Sequence, residues 1–491
     1  MKRTPVSLIL LALLVPAASS GQTNSGATGL ISVYEQAVNY DSELSAARSR
    51  KRAREAGINE ARAALLPRLS LFGRWNFTSR IDVDETLEDK QYGAELNQPL
   101  FDATAWFNFQ ASQELDEQQK AELSLAQQQL MLDVAVQYFE VLRARDELDT
   151  ARAQEQALRR QWEQARERYN VGLVATTEVE EARAGYDASQ SERISAQSQL
   201  DIERESLFRI TGQYYDNLER LATNFPIVKP EPNDPDAWKE QALRQNWSIQ
   251  AARHAVDAAR EELSASRSGH LPTLDLTAAF QRSESDIPTG DFAPQGGATF
   301  TSEQTERRIG LSLEIPLYEG GGTAAEVRRE RSELETTKSE LDTTRRDVRL
   351  DTRSLFRQIR TSMETVRAQR QTIVSRRSAL DATRAGYDVG TRNIVEVLDA
   401  EQNYFVALRD FANARYDYVL NTLRLKQASG TLSPADLRDL DRWLSASAPG
   451  IERLAREVTR KAEKQEPTER KQDKPERRPV PSDAVIPLRE R

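Results

Sequence analysis

The chain has 491 residues, of which 30% are charged and 38% are hydrophobic, and its formal net charge is -9. Glycine (21) and proline (19) are scarce for this length, which favours long helices over a series of ordinary globular domains. The acidic charge argues against a nucleic-acid partner, and the absence of cysteine excludes disulfides, thiolate metal sites and a cysteine nucleophile.

The first 21 residues have the composition of a secretory signal peptide. Lys2 and Arg3 precede an apolar run from Val6 to Val15, and small residues follow up to Gly21. This run is too short to cross a bilayer as a helix, and no later window of the chain is long and apolar enough to do so. The sequence therefore predicts an exported protein whose mature chain contacts a membrane only through strands.

Long stretches without glycine or proline predict long helices. They run from Leu100 to Val171, from Thr323 to Ala385 and from Thr391 to Ser429. At 1.5 Å per residue, a run of about 65 to 70 residues is a rod roughly 100 Å long. Apolar residues at alternating spacings of three and four mark a coiled-coil face on the first run and on the pattern that follows it: Val134, Tyr138, Val141, Leu148, Leu158, Val179, Ala182, Leu200 and Leu207.

A near-repeat relates the two halves of the chain. The segment from Arg168 to Tyr186 matches the segment from Gly386 to Tyr404 at a constant offset of 218 residues. Each contains the pattern Y-x-V-G, whose glycine, Gly172 or Gly390, suits the left-handed conformation that commonly ends a helix. A second helical pattern follows each glycine at once. The sequence therefore predicts two long helical hairpins in an internal two-fold repeat, with repeat 1 over about 30–225 and repeat 2 over about 240–450.

Four further segments alternate between apolar and polar residues with a period of two. They span about 68–78, 91–100, 272–282 and 307–316. Alternation over about ten residues is typical of outer-membrane strands, although a half-buried sheet of a soluble protein would show it as well. Four strands cannot close a barrel, and an open edge cannot lie in lipid, so copies of the chain must combine their strands. Two copies would give eight strands with a filled interior, whereas three would give twelve and leave a lumen.

The sequence resembles the TolC family of outer-membrane efflux and secretion channels from about Leu30 to Ala446. The motifs that carry the resemblance are YNVGLVATTEVEEAR, RITGQYY, GHLPTLDLTA, IPLYEGG, GYDVGTRNIVEVLDA and ANARYDY. The resemblance implies a mainly α protein with a membrane β part: a homotrimer whose twelve-stranded β-barrel lies in the outer membrane of a Gram-negative bacterium and continues into a periplasmic α-helical barrel. It also implies a periplasmic adaptor and an inner-membrane pump of the resistance-nodulation-division, ABC or major-facilitator type.

The family keeps its periplasmic end closed through contacts between the two hairpins, and the resemblance places these contacts on individual residues. Tyr387 and Arg392 match the inner-hairpin residues of the gate. Glu178 stands where the family has an aspartate that they contact, so its longer side chain leaves the exact bonding open. The turns at Gly172 and Gly390 are the expected adaptor-docking tips, although they also serve as helix caps.

The resemblance also implies an acidic constriction ring. Asp399 matches the family's constriction carboxylate, and Glu396 replaces a second aspartate one turn earlier. Because the two residues are three apart, they lie on one face of a helix, and threefold symmetry would make two stacked rings. Such rings should raise the pKa of their own carboxyl groups and attract cations. An isolated acidic pair is more often a solvated helix face.

Other signals do not indicate an enzyme or a cofactor. The segment EGGGTAAEV formally matches a dinucleotide fingerprint, but no returning parallel strand follows it. His254 and His270 are too far apart in sequence for a local metal site and are interpreted as structural. The alternative function is an exported coiled-coil scaffold or a periplasmic adaptor without a pore, which two hairpins, four strands and the duplication disfavour. Residues 22–450 are predicted to form the channel protomer and 451–491 a charged, disordered tail.

Overall fold

The computed structural model describes residues 27–80, 85–288, 299–448 and 450. The predicted signal peptide (1–21) and tail (451–491) lie outside the described residues. The described elements, in chain order, are α1 (Leu30–Tyr40), α2 (Ser42–Ala63), β1 (Arg68–Arg80), β2 (Glu85–Phe101), α3 (Ala103–Asn170), α4 (Thr176–Thr211), β3 (Arg220–Leu221), α5 (Pro235–Gln245), α6 (Trp247–Ser268), β4 (Thr273–Pro288), β5 (Thr299–Glu314), α7 (Gly322–Asp388), α8 (Ile394–Ala428), α9 (Pro434–Asp441) and β6 (Leu444–Ser445).

Two long helical hairpins dominate the fold, as the sequence predicts. Helix α3 has 68 residues and turns into α4 with 36, and α7 has 67 residues and turns into α8 with 35. Helix α3 begins at Asp102, whose carboxylate accepts the Ala105 backbone N–H at 2.9 Å, a usual N-cap bond. Within the described residues, no helix combines the length and apolar content needed to cross a bilayer.

The helices form a layer whose composition changes along its length. Near the hairpin turns, called the tip end here, α3 packs against α4 and α8, and α8 packs against α7. Towards the sheet, α3 packs against α2 and α6, and α6 packs against α7. The core lies along the middle of α3, where Tyr138 and Phe139 are fully buried and the Phe139 ring meets that of Tyr416 at 5.5 Å. Above the turns, the layer therefore has α4 and α7 at its two edges, whereas at the turns themselves Glu178 of α4 reaches Tyr387 of α7.

The long strands form one antiparallel sheet in the order β1-β2-β4-β5. The register aligns apolar residues in one row across all four strands, namely Leu69, Leu96, Ala278 and Ile309. The next row lies on the other face and is more polar, with Ser70, Glu95, Ala279 and Arg308. The apolar face is uncovered in the protomer, since Ile309 is 82% exposed.

The strands are longer than the alternating segments of the sequence. Strand β2 begins at Glu85 instead of about residue 91, and β5 begins at Thr299 instead of about 307. These added residues are mostly polar, so they lack the alternation of apolar and polar residues that predicts a strand. Their backbone groups nevertheless continue the antiparallel ladder with β1 and β4.

A group of small elements, called the belt here, packs against the long helices. It consists of α1, α5, α9, the paired two-residue strands β3 and β6, and the segment 222–234 between β3 and α5. Tyr418 of α8 connects to it, because its hydroxyl donates to the Val228 carbonyl at 2.7 Å and accepts the Val228 N–H at 3.1 Å. The belt therefore fixes α8 at mid-length, far from the hairpin turn.

Candidate functional site

The two hairpin turns have the same backbone geometry. Gly172 and Gly390 adopt φ of 79° and 75°, a left-handed conformation in which a side chain would be strained. The N–H that follows each glycine bonds back to a carbonyl five residues earlier, from Leu173 to Arg168 and from Thr391 to Gly386, both at 2.8 Å. Bonds of this kind satisfy the last carbonyls of the long helices, so the shared Y-x-V-G pattern is a helix-ending signal at both tips.

Tyr387 joins the two hairpins at the tip end. Its hydroxyl donates to Glu178 Oε2 at 3.1 Å, so the longer glutamate side chain still reaches the tyrosine. The Arg168 guanidinium lies 4.9 Å from the centre of the Tyr387 ring and 3.5 Å from Asp388 Oδ1. Burial, together with the Glu178 charge, raises the pKa of Tyr387. The phenol therefore stays protonated and remains a donor to Glu178 at any physiological pH.

Arg392 has a different partner from the one that the resemblance implies. Within the protomer it forms an ion pair with Glu396, four residues later on α8, and none with Glu178. Two local effects favour this pair: Arg392 lies in the turn just before the Asn393 N-cap of α8, only four residues from Glu396, and Glu396 lies in the first turn of α8, where a carboxylate is stabilised. The hydrogen bond from Arg392 lowers the pKa of Glu396. Within the protomer, Arg392 is therefore ion-paired with Glu396, one of the two residues of the predicted acidic ring.

The two acidic residues of the predicted ring lie together on α8. Asp399 is exposed and Glu396 is partly exposed, one turn apart. Below them an apolar contact joins the hairpins: Ile394 and Val397 of α8 are buried against Ala165 and Ala182 of the other hairpin, with Trp162, Val179, Tyr387 and Leu398 packed around them. The tip is thus held by packing as well as by polar contacts.

Sequence reasoning missed a buried charged pair above the tip. Glu401 of α8 is 1% exposed and accepts a bond from Arg384 Nη2 of α7 at 2.7 Å. Burial raises the pKa of Glu401, while the charges of Arg384 and of Arg160 on α3 oppose the rise. The available signal was a glutamate within the apolar stripe of α8, between Val397 and Tyr404. Such a residue needs a charged partner, which the sequence alone does not identify.

His254 fits the predicted structural role. Its Nδ1 lies 2.8 Å from Glu114 Oε2, which joins α6 to α3. Asp257 is also close enough to complete a group of three potential metal ligands. However, its carboxylate is already ion-paired with Arg260, and all three side chains are partly exposed. The existing partners account for this cluster.

Comparison with known proteins identifies the family. The family model described as "Outer membrane efflux protein" matches residues 33–213 and 238–431. Outer membrane protein TolC of Escherichia coli is 36% identical over 441 residues, which cover 89% of each chain. Alkaline protease secretion protein AprF of Pseudomonas aeruginosa is 30% identical over 428 residues, covering 84% of this chain and 86% of that protein.

Solved structures share the fold at lower identity. A crystal structure of CusC has a TM-score of 0.72 at 18% identity and covers 87% of this chain and 99% of that one. The Campylobacter jejuni CmeC outer membrane channel has a TM-score of 0.69 at 16% identity, covering 90% of this chain and 99% of that one. Long hairpins, a four-stranded sheet and a family match over most of the chain agree with one another. The chain therefore belongs to the outer membrane efflux protein family, and it is an outer-membrane exit duct for efflux or type I secretion.

Proposed function

We propose that the duct is a homotrimer whose three sheets combine into a twelve-stranded β-barrel continuous with a periplasmic α-helical barrel. The observation that carries this proposal is the sheet itself. Its apolar row is uncovered in the protomer. Strands β1 and β5 are the edges of the sheet, so the outer backbone groups of each have no partner strand among the described residues. Lipid can cover the apolar row, but inside a membrane only further strands can hydrogen-bond the backbone N–H and C=O groups of the two edges. Eight strands would enclose side chains, so three copies are the smallest assembly that leaves a lumen.

The tip end is the proposed gate of this channel. Tyr387 and Glu178 connect the inner hairpin, α7 and α8, to the outer hairpin, α3 and α4. Arg392 stands one turn before Glu396, and Asp399 follows one turn later, so threefold symmetry would bring charges of both signs to the axis. In this arrangement Arg392 partly neutralises the acidic ring in its own copy, and its guanidinium is exposed enough to be available to a neighbouring copy.

The exposed turns at Gly172 and Gly390 are the proposed docking points for a periplasmic adaptor, which would recruit an inner-membrane pump. Apart from the neighbouring residues in sequence, no atom of the described chain lies within 4 Å of a Cβ built on either glycine, so both turns are accessible to a partner. An adaptor bound there could favour the open tip by binding it more tightly than the closed one. The pump type would be resistance-nodulation-division, ABC or major-facilitator.

Purification of the full chain from outer membranes tests the assembly. We expect heat-modifiable trimers in detergent, and discrete single-channel currents when these are added to a planar lipid bilayer. A stable monomer in detergent, or protein that dissolves in buffer without detergent, would overturn the proposal.

A charge on the apolar face of the sheet should prevent membrane insertion. Leu71 lies on β1, on the same face as Leu69, and is 83% exposed in the protomer. Arginine on a barrel's lipid face costs about 2–4 kcal/mol at the bilayer middle and less towards the interfaces, and each trimer would carry three. We expect Leu71→Arg to reduce strongly the trimer recovered from outer membranes on immunoblots. The matched control is Ser70→Arg on the opposite face, and equal recovery of the two variants would contradict a lipid-facing Leu71.

Acid should favour the closed tip through Glu401. If opening separates α8 from α3, the Glu401 carboxylate becomes hydrated and its pKa falls from the raised value of the closed state. The closed state then binds the extra proton, so its advantage is complete below the open-state pKa and is lost as pH rises through the closed-state pKa. We expect the open probability in bilayers to rise with pH above the ordinary glutamate range. Glu401→Gln should flatten this rise, whereas the exposed control Glu163→Gln should keep it; an unchanged response in Glu401→Gln would refute the assignment.

A further inference from the structure

Helix α7 carries a stripe of exposed arginines. Arg346, Arg349, Arg353, Arg357 and Arg360 follow one another at spacings of three and four residues, so they lie on one side of the helix. Arg353 bonds to Asp236 of the belt at 2.7 Å. The other four arginines make no hydrogen bond or ion pair with any described residue. Four guanidinium groups of this stripe are therefore available to an acidic surface outside the protomer.

Helix α4 carries such an acidic surface. Asp187, Ile194 and Asp201 are seven residues apart, and Ile202 and Glu205 extend the same side of the helix by a further turn. All five are exposed, the two isoleucines at 59% and 54%. Exposed isoleucines flanked by carboxylates form a surface of the composition found at the contact between two helices. We call these five residues the α4 stripe.

Nearby groups of the same protomer do not neutralise the upper part of the α4 stripe. Asp201 accepts a bond from the neutral Gln197 amide at 3.1 Å, and Glu205 accepts one from the Tyr214 hydroxyl at 2.9 Å. Among the described residues, the cation that pairs with Asp201 is Arg204, and that contact is long, at 3.9 Å. Both carboxylates are therefore available to a further cation.

The two stripes lie at the same height above the tips. Asp201 and Glu205 come 29 and 33 residues after Gly172, and Arg360 and Arg357 come 30 and 33 residues before Gly390. The bond between Tyr387 and Glu178 shows that the two turns are level. At 1.5 Å per residue, all four charged groups lie about 45–50 Å above the turns. Away from the tip contact, α4 lies next to α3 and α7 lies next to α8, so at this height the two stripes lie at opposite edges of the helix layer of one protomer.

We propose that Arg357 and Arg360 of one copy pair with Glu205 and Asp201 of the adjacent copy, so that α7 and α4 close the helical barrel between protomers. This inference rests on the proposed homotrimer and specifies its interface. Repeated around a threefold axis, the contact joins the edge of each layer to the opposite edge of the next. Matching charge at matching height within the same sequence favours a second copy over an acidic adaptor as the occupant.

Cross-linking of the full-length chain tests the contact, since the natural sequence has no cysteine to interfere. We expect Arg360→Cys with Asp201→Cys to give covalent trimers on denaturing gels after treatment of outer membranes with a short bismaleimide. The matched control is Gln358→Cys with Asp201→Cys, because Gln358 is exposed at the same height but on another side of α7. Trimers that fail to cross-link through residues 360 and 201, or that cross-link equally in the control, would overturn the interface.

Charge exchange provides a second measurement. Arg357→Glu with Arg360→Glu should cause loss of the heat-resistant trimer band, because acidic groups would then face acidic groups. Adding Asp201→Arg and Glu205→Arg should restore it. A trimer that survives the first exchange, or a loss that the second does not repair, counts against the pairing. Absence of trimers in the unmodified chain is a different result, since it would overturn the proposed assembly as a whole.

Discussion

Tyr387→Phe combined with Arg392→Ser should strongly increase the conductance and the open probability of the channel in a planar bilayer. The phenylalanine cannot donate to Glu178, so the bond between the inner and outer hairpins is lost. A bond of this kind is worth about 1 kcal/mol in each copy. Loss of three copies would then total about 3 kcal/mol and shift the balance between closed and open tips by roughly 100-fold.

The serine acts through a second effect. Arg392 is ion-paired with Glu396, so its removal leaves three Glu396 carboxylates uncompensated near the proposed threefold axis. Like charges on one axis repel one another, and they also raise the local concentration of cations. We therefore expect the double variant to become more cation-selective as well as more open, which reversal potentials in a salt gradient would measure.

The same types of substitution elsewhere in the hairpins provide the control. Tyr169 occupies the position in α3 that matches Tyr387 in the repeat, and it is exposed. Arg183 pairs with Asp187 within α4 at 3.8 Å, away from the acidic residues of α8. Tyr169→Phe with Arg183→Ser should leave conductance unchanged. If the gate variant gave the same currents as this control, Tyr387 and Arg392 would not hold the tip closed.

The long helices could be predicted because their signals are local. An absence of glycine and proline, together with a three-and-four apolar spacing, sets α3 and α7 within a few residues of their observed ends. Gly172 and Gly390 end these helices for an equally local reason, because each turn requires a positive φ. By contrast, the outer ends of the strands depend on backbone pairing between polar residues, which leaves no apolar pattern to detect.

The polar contacts of the tip also differ in how far the sequence predicts them. The Tyr387 to Glu178 bond joins residues 209 positions apart, and only the family resemblance pointed to it. The partner of Arg392 is four residues away, yet that same resemblance directed attention to Glu178 instead. Arg168 of the other hairpin packs on the ring of Tyr387, and no local sequence pattern predicts this contact. Sequence therefore gives the elements that carry the gate more reliably than the pairs that close it.

Asp146→Ala should cause the largest loss of stability among the substitutions considered, about 3–5 kcal/mol. Asp146 of α3 is 8% exposed, accepts a bond from the Tyr416 hydroxyl of α8 at 2.6 Å and lies 3.7 Å from Arg220 Nη1 of the belt. Its removal leaves the buried Tyr416 hydroxyl without its acceptor and takes a carboxylate away from the buried Arg415, whereas Arg220 keeps its ion pair with Asp149. Burial lowers the pKa of Arg415, and nearby Tyr416 and Asp146 oppose this.

A mutant cycle separates this network from a simple cavity effect. Asp146→Ala, Tyr416→Phe and the double variant should show an interaction energy of about 1–3 kcal/mol in thermal or denaturant unfolding followed by circular dichroism. Asp417→Ala, which breaks an exposed ion pair with Arg143, should change stability by about 1 kcal/mol or less. Additive effects at Asp146 and Tyr416 would mean that the two side chains are independent. If they are coupled, α3, α8 and the belt form one fixed unit at mid-length, and any movement that opens the duct must occur between that unit and the turns at Gly172 and Gly390.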